Sequence, residues 1–242
     1  FGSIEFAETV APFALGEFVD KLIQKASLTG CKRLQLVNYP HCYAPRHMHR
    51  LVYTLTEQGF NIIKSTPTFY LPVHDGSLTE RMHPQEQQRL RKCQRAGLKT
   101  SLWENPCIPT IIDFIEESRQ QQGYPLTIPT DCLSRLLHQF PEQFPVFVVR
   151  DGETIAALCV CVRVRHDILY SFLPASLTDY QLFSPMVMLI DHVYQYSQQA
   201  GIDLLDLGPS LDANQQPKPS LARFKQNMGA ITSPKLTFEI EL

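Results

Sequence analysis

Asp206, Gly208 and Ser210 close a short apolar run, Lys225 follows on the next predicted helix, and Tyr170 lies on an earlier predicted strand. These types suit group transfer through a charged intermediate. A lysine ammonium can stabilise an oxygen that gains negative charge. A carboxylate can take a proton from an attacking group, or orient the lysine, and a phenol can protonate a leaving group. Gly208 permits positive φ or a close backbone approach. Ligands of α/β sheets gather beyond the carboxyl ends of strands, which is where Asp206, Gly208 and Ser210 fall. Each residue also has a plainer reading: Asp206 as a loop cap, Lys225 as a solvated helix residue, Tyr170 as packing.

A second cluster is basic. Arg81, Gln85, Gln88, Lys92 and Arg95 share one face of a predicted helix over 80–96, with Arg89 and Arg91 adding charge. That suits an anion contact, to tRNA phosphates or a phosphorylated acceptor. It equally suits a solvated helix bridging two lobes. No aromatic residues interleave to stack bases. His41, Cys42, His47 and His49 are metal-ligand types, but i,i+2 residues point apart, so no metal is assigned. His83, His138, His166 and His192 stand singly, and Trp103 reads as core.

The elements that would position these groups follow from periodicity and punctuation. A short strand is predicted over 2–7, helices over 9–27 and 45–58, and strands over 33–39, 60–65 and 68–73. Beyond the basic helix come a strand over 99–104, a helix over 108–121, and another that Thr130 would cap. Strands over 145–150 and 153–164 join at Asp151-Gly152, a strong hairpin signal, with a third over 167–174. A helix opens at Ser184-Pro185, a buried strand covers 202–207, a short helix runs over 219–228, and a last strand covers 235–242.

The chain has 242 residues, 44% hydrophobic and 19% charged, with a formal charge of −2. That is ordinary globular composition. It argues against disorder and against a wholesale nucleic-acid coat. No stretch approaches the roughly 18 uninterrupted apolar residues of a membrane span. Seven scattered Cys without a CxxC pair fit a reducing compartment, and the cytoplasm is the expected location. Element order repeats: helix–Gly30–strand–helix–Gly59 parallels helix–Gly201–strand–helix–Gly229. The expected organisation is therefore the back half of a first unit at 1–78, a basic connecting helix at 79–98, and a complete second unit at 99–242. Opening at Phe1-Gly2-Ser3 without Met, the chain is expected to start inside the first unit.

The order over 99–242 is similar to that of GNAT-fold acyltransferases, and a tandem pair is similar to FemAB-like and related aminoacyl-tRNA transferases. Residues 204–210, with Asp206, Gly208 and Ser210, resemble the family's "fDfG-S" strand end. Residues 221–230, with Phe224-Lys225 and Gly229-Ala230, resemble its "FK--fGa" helix. Residues 89–97 resemble its basic "RKA-k-G" connector, and Gly123-Tyr124-Pro125 also fits. Over 1–75 the match is in element order alone. The resemblance implies an α/β GNAT fold in tandem, duplicated units, with a mixed central sheet and an incomplete first unit. It implies a catalytic Lys225, facing the acyl-transfer centre, with Asp206 and Tyr170. Gly208, Ser210, Phe224, Tyr124, Arg91 and Lys92 become substrate-binding candidates. The implied activity moves an acyl group from a thioester or aminoacyl ester to a primary amine. The donor is aminoacyl-tRNA or acyl-CoA, with no tightly bound cofactor, and tRNA or a phosphorylated acceptor is a possible partner. The alternatives are an acyl-CoA-dependent N-acetyltransferase and a non-catalytic GNAT-like binding protein. One departure matters. GNAT enzymes carry a Q/R-x-x-G-x-G/A loop after the fourth strand, where backbone N–H groups hold the CoA pyrophosphate. Here 177–185 has no Gly and carries Asp179, which puts acetyl-CoA in doubt more than acyl transfer.

Overall fold

A computed structural model describes residues 3–123, 125–126 and 128–242. In chain order the elements are α1 (Pro12–Leu28), β1 (Arg33–Val37), α2 (Pro45–Glu57), β2 (Asn61–Pro72), α3 (Pro84–Arg95), β3 (Lys99–Leu102), α4 (Ile108–Gln122) and α5 (Thr130–Gln139). Then come β4 (Val146–Asp151), β5 (Thr154–Arg165), β6 (Ile168–Ser176), α6 (Pro185–Gln199), β7 (Leu204–Pro209), α7 (Pro219–Asn227) and β8 (Ile231–Glu241). Proline opens α1, α2, α3, α6 and α7. The first helical N–H has no intrahelical partner anyway, and the fixed φ of Pro is already helical. None of these helices is long and apolar enough to cross a membrane.

The chain forms two compact units. One comprises the residues up to Thr68 together with Thr232–Leu242; the other is Phe69–Ile231. The expected α/β mixed sheet is present. In the first unit the strands run β1-β8-β2, and in the second β2-β7-β6-β5-β4-β3. The first unit buries Leu15 and Val19 of α1 and Met48, Leu51 and Leu55 of α2 against Leu36 and Phe238. β8 lies antiparallel to β1, with Leu36 opposite Phe238.

In the second unit helices cover both faces of the sheet. Leu90 and Cys93 of α3, Leu189 and Val193 of α6 and Met228 beyond α7 pack on Phe147, Val149, Cys159, Leu205 and Leu207. Ile111 and Ile115 of α4 and Leu133 and Leu137 of α5 pack on Val146, Val148, Leu158 and Val160. This explains the unbroken apolar text of β4, because a strand covered on both sides has no polar face to show. Asp151-Gly152 does join β4 to β5 as a hairpin. β6 and β7 run parallel, and among the described residues their ladder ends at Tyr170 opposite Asp206.

Several expectations need correction. Residues 3–7 form no strand; Ile4 instead packs in the first core. The two strands expected over 60–73 are one, β2, which continues through Pro67. Thr130 does not cap α5, because Pro129 holds the cap position and no side-chain bond forms there. The basic helix is not a solvated bridge, since Leu90 and Cys93 bury it in the second unit. Arg81 is not on it: Arg81 precedes α3, its guanidinium donating to Pro72 O at 2.7 Å and Gly229 O at 3.3 Å. β8, grouped by element order with 99–242, is packed in the first unit.

Candidate active site

The alternation of β7 sorts its side chains. Leu205 and Leu207 face the α6 side, so Asp206 between them faces the other. Asp206 is 3% exposed, and its Oδ1 accepts the Gly208 N–H at 2.6 Å. Gly208 has φ +71°, where any other L-residue is strained. A Cβ there would sit 3.1 Å from Tyr170 Cε2 and 3.3 Å from its hydroxyl, so the tyrosine ring occupies the space a side chain would need. Gly208→Ala is therefore expected to lower stability by about 1–3 kcal/mol and to displace Tyr170. Thermal unfolding checks the first effect, and tyrosine fluorescence or a structure of the variant checks the second.

Lys225 reaches the same strand end from α7. It is 7% exposed; Nζ donates to Gly208 O at 3.0 Å and Pro209 O at 2.8 Å, 5.6 Å from the centre of the Phe69 ring. It is thus not a solvated helix residue. Burial pushes its pKa down to about 8, against an upward pull from Asp206. Burial raises the Tyr170 phenol well above its usual range, and Asp206 and Cys159 add to that. Two of the three ammonium hydrogens of Lys225 are held by backbone carbonyls, which leaves one to meet a ligand. Ser210 follows at the end of the strand, also buried, with its own carbonyl accepting the Lys218 N–H at 2.8 Å.

Tyr170, Asp206, Gly208, Ser210 and Lys225 are thus gathered at one strand end. Phe224 lies on α7 but packs against the core beside Ala222. Arg91 and Lys92 are elsewhere, on the exposed side of α3. The Lys92 ammonium donates to Leu182 O and sits 5.3 Å from the Phe183 ring centre, so it fastens the segment before α6. Arg91 lines an open groove with Thr79, Glu80, Gln87, Leu90 and Gln94. Arg89 Nη1 donates to both carboxylate oxygens of the buried Glu86, at 2.9 and 3.0 Å. Tyr124 lies outside the described residues. The His41 and His49 rings are 4.7 Å apart and His47 meets Phe6 edge-on, but no group of three metal-ligating side chains occurs among the described residues. The Cys159 and Cys161 sulfurs lie 3.6 Å apart.

Sequence reasoning missed Phe69. It comes from β2, and nothing in the local text announces that β2 is the strand beside β7. The glycine-free segment before α6 is closed by its own contacts. Thr178–Tyr180 makes a tight 3-10 turn, Cys93 Sγ–H donates to Phe183 O at 2.8 Å, and Ser184 takes φ 57°.

Residues 85–225, more than half of the chain, match the acetyltransferase (GNAT) domain family. The structure resembles FemX with a TM-score of 0.76 at 12% identity, over 96% of this chain and 77% of that one. It resembles L-PGS from Bacillus licheniformis with a TM-score of 0.63 at 11% identity, over 92% of this chain and 72% of that one. At such identities the likeness is one of fold. No curated protein sequence matches.

Proposed function

We infer that this chain, which belongs to the GNAT acetyltransferase family, is a FemAB-like acyl- or aminoacyltransferase that moves an acyl group to a primary amine. The observation that carries the reading is the buried Lys225 ammonium at the end of β7, beside Asp206 and Tyr170. The amine nitrogen attacks the acyl carbon; a C–N bond forms and the carbonyl electron pair moves onto oxygen. The free Lys225 N–H and its charge stabilise that oxyanion at a site where Lys225 and Asp206 are buried. The Asp206 carboxylate takes the proton the attacking nitrogen sheds. Collapse restores the carbonyl and breaks the bond to the leaving sulfur or oxygen. Tyr170, kept protonated by its burial, supplies the proton that the leaving atom takes. Exchange with solvent returns the Asp206 proton to water and reprotonates Tyr170.

For the donor we favour an aminoacyl ester on tRNA. The segment where a CoA pyrophosphate would be cradled has no glycine, carries Asp179, and has Lys92 and Cys93 tied to its carbonyls. The family description favours the second reading, an acyl-CoA donor. Isothermal calorimetry with acetyl-CoA against charged tRNA separates them, and tight CoA binding reverses the preference. If Arg91 meets tRNA phosphate, affinity should fall with salt, and Arg91→Ala should lower the slope of log K against log[salt] by roughly one. A salt-independent affinity removes that role from α3.

A further inference from the structure

Among the described residues, two buried side-chain polar atoms have no hydrogen-bond partner: His47 Nε2 and Ser210 Oγ. The second falls at the site. Ser210 is 6% exposed, and burying a hydroxyl without a partner destabilises the fold. The backbone around it is fixed on both sides. The carbonyl before it, Pro209 O, accepts Lys225 Nζ at 2.8 Å; its own carbonyl accepts the Lys218 N–H at 2.8 Å; and the next residue is bridged, Leu211 to Pro217. The unmatched hydroxyl is therefore built into an ordered frame rather than left on a loose loop. It stands one peptide from the carbonyl that holds the Lys225 cation. An oxygen gaining negative charge beside that cation is the chemistry a free O–H donor fits.

We propose that Ser210 is a second donor to the reacting acyl oxygen, its Oγ–H acting with Lys225 Nζ as the amine attacks. The proposal rests on the transferase reading above. When the C–N bond forms and the carbonyl pair moves to oxygen, that oxygen accepts from Ser210 Oγ–H and from Lys225. When the carbonyl re-forms, both bonds weaken and neither donor has lost its proton. Ser210 is thus spared the role of nucleophile, and no acyl-serine forms.

The test uses the whole chain, with acetyl-CoA and with tRNA charged with mixed amino acids as donors and a lysine-containing peptide as acceptor. Ser210→Ala and the near-isosteric Ser210→Cys, a weak donor, should each lower kcat and kcat/KM together by roughly 10²-fold with KM unchanged. Because the hydroxyl has no partner in the free protein, the melting temperature of Ser210→Ala should be unchanged or higher. A structural hydroxyl would give the opposite pair, a lower melting temperature with kcat retained, and that result overturns the proposal. Full activity in both variants overturns it as well, while leaving the transferase reading in place. If the wild-type chain transfers from neither donor, the transferase reading fails and this proposal fails with it.

Discussion

Replacing Lys225 with methionine is expected to lower kcat/KM for acyl transfer by roughly 10²–10³-fold, the usual loss when one oxyanion donor is removed. Methionine keeps an unbranched apolar stem for the space beside Phe69 while deleting the charge and the bonds to Gly208 O and Pro209 O. Losing those bonds is opposed by no longer burying an ammonium, so the fold should survive and far-ultraviolet circular dichroism should match the wild type. Acidity adds a second signature. With Lys225 at about 8, the wild-type rate should fall as pH rises through that value, because the ammonium is lost. Stability should run the other way. The folded pKa of about 8 is below the ordinary 10.5, so across that window the unfolded chain binds the extra proton. Folding therefore becomes more favourable as pH rises from about 8 to 10.5, and Lys225→Met should remove that part of the rise. A variant with undiminished kcat/KM would remove Lys225 from the chemistry and favour a GNAT-like binding protein.

The helices and strands were legible where chain chemistry forces them. Pro45, Pro185 and Pro219 mark helix starts, and the Asp151-Gly152 turn marks a hairpin, whereas the helix expected from residue 9 starts at Pro12. The recurring order is also real in the structure, as α1-β1-α2-β2 and again as α6-β7-α7-β8. Aligned on Gly30 with Gly201 and on Gly59 with Gly229, the copies differ where the chemistry lies. Gln35 stands for Asp206, Val37 for Gly208, and the fully buried Leu55 for Lys225. One copy therefore carries the charged constellation and the other an apolar core. Residues on consecutive elements, Asp206 through Lys225, could be gathered from spacing alone. Phe69 could not, because strand order is a long-range outcome that local periodicity does not encode. The strands expected over 60–65 and 68–73 leave out residues 66 and 67, yet β2 runs unbroken through Pro67. Arg81 and Lys92 read as a charged face for an anion, and in the structure each donates to a backbone carbonyl.

A chain ending at Ile231 is expected to lose the tertiary structure of its first unit while β4, β5 and β6 stay folded. β8 is the last element in sequence, but its residues from Thr232 on belong to the first compact unit. Phe238 is fully buried there, among Leu36, Met48, Leu51 and Leu55, and it lies opposite Leu36 in the β1 ladder. Further bonds go with the strand: Asn38 N–H to Leu236 O at 3.0 Å, Thr68 Oγ1–H to Ser233 O at 2.9 Å, and Cys42 N–H to Ser233 Oγ at 2.9 Å. Leu15, Val19, Leu36, Met48, Leu51 and Leu55 would remain, but without Phe238 and the β8 ladder the face they bury against is open to water. The single substitution Phe238→Ala isolates the packing part and should cost about 3–5 kcal/mol. Hydrogen exchange reads both experiments by region. Amides of β1, α1 and α2 should lose protection in the truncated chain, and those of β5 and β6 should keep theirs. If α1 and α2 remain protected without β8, the first unit folds on its own residues. Cutting the chain at 78 and 99, as element order suggests, would then release an intact module; with β8 required, that cut leaves the first unit without the strand that closes its core.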